Sequence, residues 1–167
     1  MKVKLKKLNE NAQLPVKSKE GDLCYDVYAV SEEEVEKGVW RYGLGFKYEI
    51  VRDESQIPTG NKPKHGGYIW SQDSKPLSIS IDFRPRSSVW KTGMVLANST
   101  GTWDELYRGE AMAVFYHVIK KLPRYKVGDR IGQIKLGIAI PMEFEWADEI
   151  NEDTERGEGG FGSTGLK

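Results

Sequence analysis

A single cysteine in 167 residues, Cys24, leaves no internal disulfide framework and no thiolate cluster for zinc. The two histidines, His65 and His117, stand apart at no metal-site spacing and read as structural. Charge of one sign is not in excess: 25 Lys and Arg balance 25 Asp and Glu, which removes the electrostatic case for a nucleic-acid or membrane surface. No apolar run approaches the ~20 residues of a membrane-spanning helix. The basic start Met1–Lys7 has no apolar stretch of the kind a secretory signal carries. Internal repeats are absent, and no Gly-Lys-Ser/Thr follows a strand, so a Walker loop is excluded. The expectation is one cytoplasmic domain with a core of its own.

What is present is mainly β pattern. Residues 2–8 alternate Lys with Val and Leu, as an edge strand with one wet face would. Leu77–Ile81 alternates apolar and small polar residues, Ala111–Ile119 is β-branched and aromatic, and Arg130–Ile140 forms another such run. Turn signals lie at Pro58–Asn61, Lys64–Gly67 and Val127–Asp129. Only Ser31–Lys37 suits a short helix, with Ser31 as N-cap and Glu34 completing a capping box. Many short strands and one small helix predict a barrel or sandwich.

Three clusters carry candidate chemistry. The tail, polar over Asn151–Arg156 and glycine-rich over Gly157–Gly165, contains nothing to build a core from and reads as a mobile arm over 151–167. Its glycines would let backbone N–H groups close on phosphate oxygens, Ser163 and Thr164 add hydroxyls, and Arg156 can grip a phosphate with paired hydrogen bonds. Phe161, alone among glycines beside Gly162, offers a stacking surface for a base. A featureless Gly/Ser tail would have the same composition. The second cluster, Asn98–Glu110, reads as a β-hairpin in which Asp104 is either a general base or an ordinary solvated carboxylate. In the third, Phe83–Ser88, adjacent Arg and Ser suit a phosphate or a surface ion pair.

Five segments, in order and spanning nearly the whole chain, resemble the motifs of the trimeric dUTPase family. Gly21–Ala29 is similar to the first motif with its Tyr-Asp-Leu-Tyr-Ala core, and Arg84–Ser88 to the Pro-Arg-Ser-Gly second motif. Gly101–Glu110 resembles the third, Gly128–Ile134 the Gly-Asp-Arg-Ile-Ala-Gln fourth, and Arg156–Gly165 the fifth. Ser88 stands where Gly is usual, Leu106 where an acidic residue is common, and Gly132 where Ala is.

The resemblance implies an all-β, jelly-roll-like, clipped barrel over 1–150 with a mobile glycine-rich C-terminal arm over 151–167, assembled as a homotrimer with interfacial active sites. It implies hydrolysis of dUTP to dUMP and pyrophosphate with Mg²⁺, which keeps uracil out of DNA and supplies dUMP for dTTP synthesis. By resemblance, Asp104 would activate the water that attacks the α-phosphorus. Tyr107 would lie under the deoxyribose and exclude a 2′-hydroxyl. Asn98 and the backbone through Gly101 would read uracil. Arg86, Ser87, Ser88 and Gln133 would contact phosphates, and Asp26 would orient a water on Mg²⁺. Arg156, Gly162, Ser163 and Thr164 would clamp the γ-phosphate while Phe161 stacks on the base.

Between Asp26 and Arg86 the chain is longer than the family pattern, with an insertion expected near 38–75. Its aromatics Trp40, Tyr42, Phe46, Tyr48, Tyr68 and Trp70 suit core or hairpin packing, or a partner surface. Two alternatives are weighed. A dCTP deaminase shares the Arg-Ser-Ser run, but Val114 occupies the position of its catalytic glutamate, and valine cannot shuttle protons. A regulatory binding protein on the same scaffold would have no need of Asp104 or of the tail, and both are present.

Overall fold

The computed structural model describes residues 1–51 and 77–157. Among the described residues ten strands run in chain order: β1 Lys2–Lys7, β2 Tyr25–Tyr28, β3 Ser31–Glu36, β4 Val39–Gly43, β5 Phe46–Val51, β6 Ser78–Arg84, β7 Met94–Leu96, β8 Gly101–Asp104, β9 Met112–His117 and β10 Arg130–Ala139. They form three open antiparallel sheets: β2-β10-β6-β8, β3-β4-β9-β7, and the pair β1-β5. The fold is all-β, and no helix among the described residues is long and apolar enough to cross a membrane.

The period-2 pattern sets the core. In β6, Ile81 and Phe83 point inward while Ser80, Asp82 and Arg84 point out; in β8, Gly101 and Trp103 are buried and Thr102 and Asp104 exposed. A chain of ring contacts crosses all three sheets, from Tyr125 to Phe115 (5.4 Å), Phe83 (6.1 Å), Trp103 (5.9 Å) and Tyr48 (6.1 Å). Each such pair contributes about 0.5–1.5 kcal/mol beyond the apolar area it buries.

Ser31–Lys37 is not a helix. Its residues 31–36 form strand β3, paired with β4 through a turn at Gly38 (φ +80°). Glu32 explains the preference: its carboxylate takes two hydrogen bonds from Arg124 (2.8 and 3.0 Å), and Arg124 lies 3.5 Å over the Trp40 ring on the neighbouring strand. Those contacts require extended backbone and outweigh the modest helix propensity of four glutamates.

Of the stretch near 38–75, residues 39–43 and 46–51 are strands β4 and β5. Tyr42, Phe46 and Tyr48 are buried in the core and Trp40 packs against it. Tyr68, Trp70 and the turn signals at 58–67 lie outside the described residues. The remaining strand readings match β1, β6, β9 and β10, and the Val127–Asp129 turn is present with Gly128 at φ +91°.

Candidate active site

Three of the candidate residues, Asp26, Gln133 and Asp104, sit on strands of the sheet β2-β10-β6-β8, where register arranges its outward residues in rows. The first row is Asp26, Gln133 and Arg84; the second is Lys135, Asp82 and Thr102; the third is Gly137, Ser80 and Asp104.

Around Asp26 the first row is densely bonded. Its carboxylate is almost wholly buried and accepts hydrogen bonds from Ser18 Oγ (2.6 Å) and Arg130 Nη1 (2.8 Å), with Arg86 Nε 3.7 Å away. Burial pushes the carboxyl up, but the Ser18 hydroxyl and Arg130 guanidinium outweigh it, Arg86 adding to them, and Asp26 titrates below its usual range. Arg86 precedes a 3-10 turn, Ser87–Lys91, in which Ser87 is exposed and Ser88 half-buried. Arg84, Arg86, Ser87 and Gln133 thus lie around one carboxylate-braced corner, a donor-rich surface suited to an anion.

Asp104 is elsewhere. It ends β8 opposite Ser80, four residues along β6 from Arg84. At about 3.4 Å per residue and about 4.8 Å per strand, that is roughly 14 Å from the Arg84 row and about 20 Å from Asp26. No single phosphate group spans that gap.

The strands flanking 98–110 pair antiparallel as the arms of the expected hairpin, but the segment joining them is no simple turn. β8 pairs with β6, whereas the strands on either side of it, β7 and β9, pair with each other in the facing sheet, so the segment crosses from sheet to sheet twice. The physical reason is that Trp103 and Phe115 each need the core, from opposite sides. The crossing before β8 is tight: Ser99 adopts φ 58°, uncommon for a residue with a side chain, and the Thr100 N–H reaches the Asn98 carbonyl. Asn98 is exposed beside buried Gly101, where a Cβ would crowd Phe83. After β8, Tyr107 is partly exposed and fixed. Its hydroxyl donates to the Glu110 carbonyl (3.1 Å), and its ring covers Gly109 so closely that a Cβ there would lie 2.2 Å from the hydroxyl.

A family model described as dUTPase matches residues 75–165, more than half of the chain. The chain belongs to the dUTPase family. It is 31% identical to the deoxyuridine 5′-triphosphate nucleotidohydrolase of Helicobacter pylori strain J99, with 99% of this chain and 98% of the relative covered. The fold is similar to that of the Staphylococcus bacteriophage 80alpha dUTPase with dUPNHPP, at TM-score 0.67 and 19% identity over 99% of both chains. It is also similar to a mutant dUTPase from phage phi11 of S. aureus, described as revealing the coordination of a structural Mg(II) ion, at TM-score 0.60 and 16% identity over 90% of this chain and 99% of that one.

For a dUTPase-family chain, the donor set bears on the metal. No three His, Cys, Asp or Glu residues gather among the described residues, and both oxygens of Asp26 already face cations. A protein cage for a divalent ion is therefore absent from the described part. The arrangement fits an ion that takes water and phosphate oxygens as ligands and meets the protein through water, as Mg²⁺ commonly does. Arg156 is exposed, and Phe161, Gly162, Ser163 and Thr164 lie outside the described residues. Motif reading of this dUTPase-family sequence missed Ser18, which no local signal marks, and Arg130, whose Arg stands inside the fourth motif.

Proposed function

We propose that the protein hydrolyses dUTP to dUMP and pyrophosphate at a site shared between subunits of a homotrimer. The observation that carries the shared site is the placement of Asp104 roughly 14 Å along the sheet from the Arg84 row. A water attacking the α-phosphorus must touch its base while the phosphates touch their donors. A second copy of the chain, presenting its Asp104 to this copy's Arg86 corner, satisfies both.

In this reading Asp104 orients the water and accepts its proton, and its exposure at the end of β8 keeps the carboxylate reachable. Arg86, Ser87, Ser88 and Gln133 hold the phosphates, and donors near the bridging oxygen stabilise the leaving pyrophosphate. Mg²⁺ on the triphosphate would offset the charge of the phosphate oxygens. Asp26 would orient a water of that ion and keeps Arg86 aimed at the phosphates. Tyr107 lies flat under the deoxyribose, and Asn98 with the tight backbone through Gly101 pairs with the uracil edge. A base whose donors and acceptors are reversed leaves those groups unpaired, which is costly in a desolvated site.

The arm closes the site, with Arg156, Gly162, Ser163 and Thr164 on the γ-phosphate and Phe161 on uracil. Its support begins before the glycines. After β10 the apolar residues Ile140, Met142, Phe144 and Trp146 alternate along an exposed segment, in a pattern that suits a strand laid on another subunit.

The test is pyrophosphate release measured with dUTP, UTP and dCTP, with and without a chelator. Turnover of dUTP that is strongly preferred over the other two and lost on chelation is expected. Ammonia release from dCTP would replace this reading with a deaminase, and binding of dUTP without turnover would replace it with a regulatory binder.

A further inference from the structure

We infer that Tyr48, in β5, is a positioning residue for Asp104. The inference rests on the reading of Asp104 as the base. Nothing in the motifs points to this tyrosine, which lies between the first and second of them in a stretch otherwise given to core strands.

Asp104 needs such a support. It is the terminal residue of a four-residue strand that, among the described residues, pairs on one side only, and the end of such a strand frays unless something holds it. Two donors converge on its main-chain carbonyl: the Tyr107 N–H at 3.0 Å, closing the turn, and the Tyr48 hydroxyl at 2.5 Å. The second comes from another sheet. Tyr48 is buried, its ring stacks on Trp103, the residue before Asp104, and its strand is backed by β1, with Leu5 opposite it. Ring and hydroxyl therefore hold two consecutive residues at the end of β8 against the core. Burial, with the nearby Asp104 carboxylate adding, raises the hydroxyl to about 12, so it stays a donor at every working pH. On the far side of the turn, Arg108 donates to the carbonyls of Glu105 (2.7 Å) and Tyr107 (3.0 Å), completing a loop held from both ends.

The contact acts on geometry, not on binding. Releasing it lets the Asp104 carboxylate wander relative to the attacking water, and misplacement of about 1 Å can cost up to 10²-fold in rate. Tyr42 supplies a matched control. It too is a buried tyrosine donating to a main-chain carbonyl, that of Tyr125 at 3.0 Å, and that carbonyl likewise keeps a second donor, Arg124 at 3.0 Å. The hydroxyl and ring of Tyr42 meet Tyr125 and Phe115 instead.

The experiment compares Tyr48→Phe and Tyr42→Phe as full-length protein with dUTP. Both should lose a similar few degrees of thermal stability. Only Tyr48→Phe should lower kcat, by about tenfold, with KM within about twofold of the unsubstituted protein. In an Asp104→Asn background, Tyr48→Phe should cost no further kcat, because the group it positions is gone. Equal kcat for Tyr48→Phe and the unsubstituted protein, an equal loss in Tyr42→Phe, or an undiminished loss in the Asp104→Asn background would each overturn the assignment. Should Tyr48→Phe not fold, Tyr48→Met, which fills similar volume without the hydroxyl, carries the same comparison. An unsubstituted protein that does not turn over dUTP would instead refute the hydrolase reading itself.

Discussion

In the proposed mechanism, two residues at the two ends of one turn divide chemistry from selectivity. Asp104 supplies a carboxylate and little else, so Asp104→Asn preserves shape while removing the proton acceptor. Nucleotide affinity measured by calorimetry should stay within a few-fold, while kcat falls by about 10²- to 10⁴-fold. Tyr107 acts by where its ring lies, and that is decided by Gly109, whose missing side chain the ring occupies. Gly109→Ala forces the ring out. The ratio of kcat/KM for dUTP over UTP should then fall at least about tenfold, because the wall against a 2′-hydroxyl has moved. Unchanged selectivity in Gly109→Ala would mean that Tyr107 does not guard the sugar.

At the scale of elements, two carboxylates tie strands that are distant in sequence. Asp26 of β2 is held by Arg130 of β10, and Glu32 of β3 by Arg124, which stacks on Trp40 of β4. The Arg124 hydrogen bonds lower Glu32 against the opposing effect of burial, and Ser18 with Arg130 lowers Asp26. A carboxyl whose folded value lies below its unfolded one, about 4, contributes stability that is fully present above that value. The contribution is lost as pH falls through the folded value. Denaturant midpoints should therefore hold steady near neutrality and drop as pH falls below about 4. Asp26→Asn and Glu32→Gln should each lower the midpoint at pH 7 and flatten the acid limb. An acid limb of unchanged steepness in both variants would remove these pairs from the account. The same elements place a limit on engineering. Removing residues 45–70 would delete β5 with Phe46, Tyr48 and Ile50, so shortening this region while keeping the fold has to begin after Val51.

For the whole molecule, the proposed division of the site between copies predicts complementation. An Asp104→Ala variant and a variant lacking residues 156–167 should each be nearly inactive. Co-refolded in equal amounts, they should form mixed trimers in about three quarters of cases, each with one site holding an intact Asp104 and another subunit's intact arm. Roughly a quarter of the unsubstituted activity should return. Mixed trimers without recovered activity would show that the arm closes its own subunit's Asp104 site.

Much of this protein is legible in the sequence, and for physical reasons. Chemistry that depends on residue type within a short stretch is written locally, so the Arg86–Ser88 run, the Asp104–Tyr107 pair and the glycine arm could be picked out in order. Strand character is equally local, since a period of 2 in Leu77–Ile81 and in Arg130–Ile140 needs no partner to be visible. Tertiary structure decided what depends on register and on partners far along the chain. Ser31–Glu36 is a strand because Arg124, some 90 residues away, takes Glu32. The 98–110 segment, which joins the paired strands β7 and β9, crosses between sheets because Trp103 and Phe115 reach one core from opposite walls. Ser18 and Arg130 join Asp26, and Tyr48 joins Asp104, through contacts that no spacing encodes. The separation of Asp104 from the Arg84 row follows from the pairing of Ser80 with Asp104 and of Arg84 with Gln133. A sequence names the groups of a site, but only the register of its strands sets the distances between them.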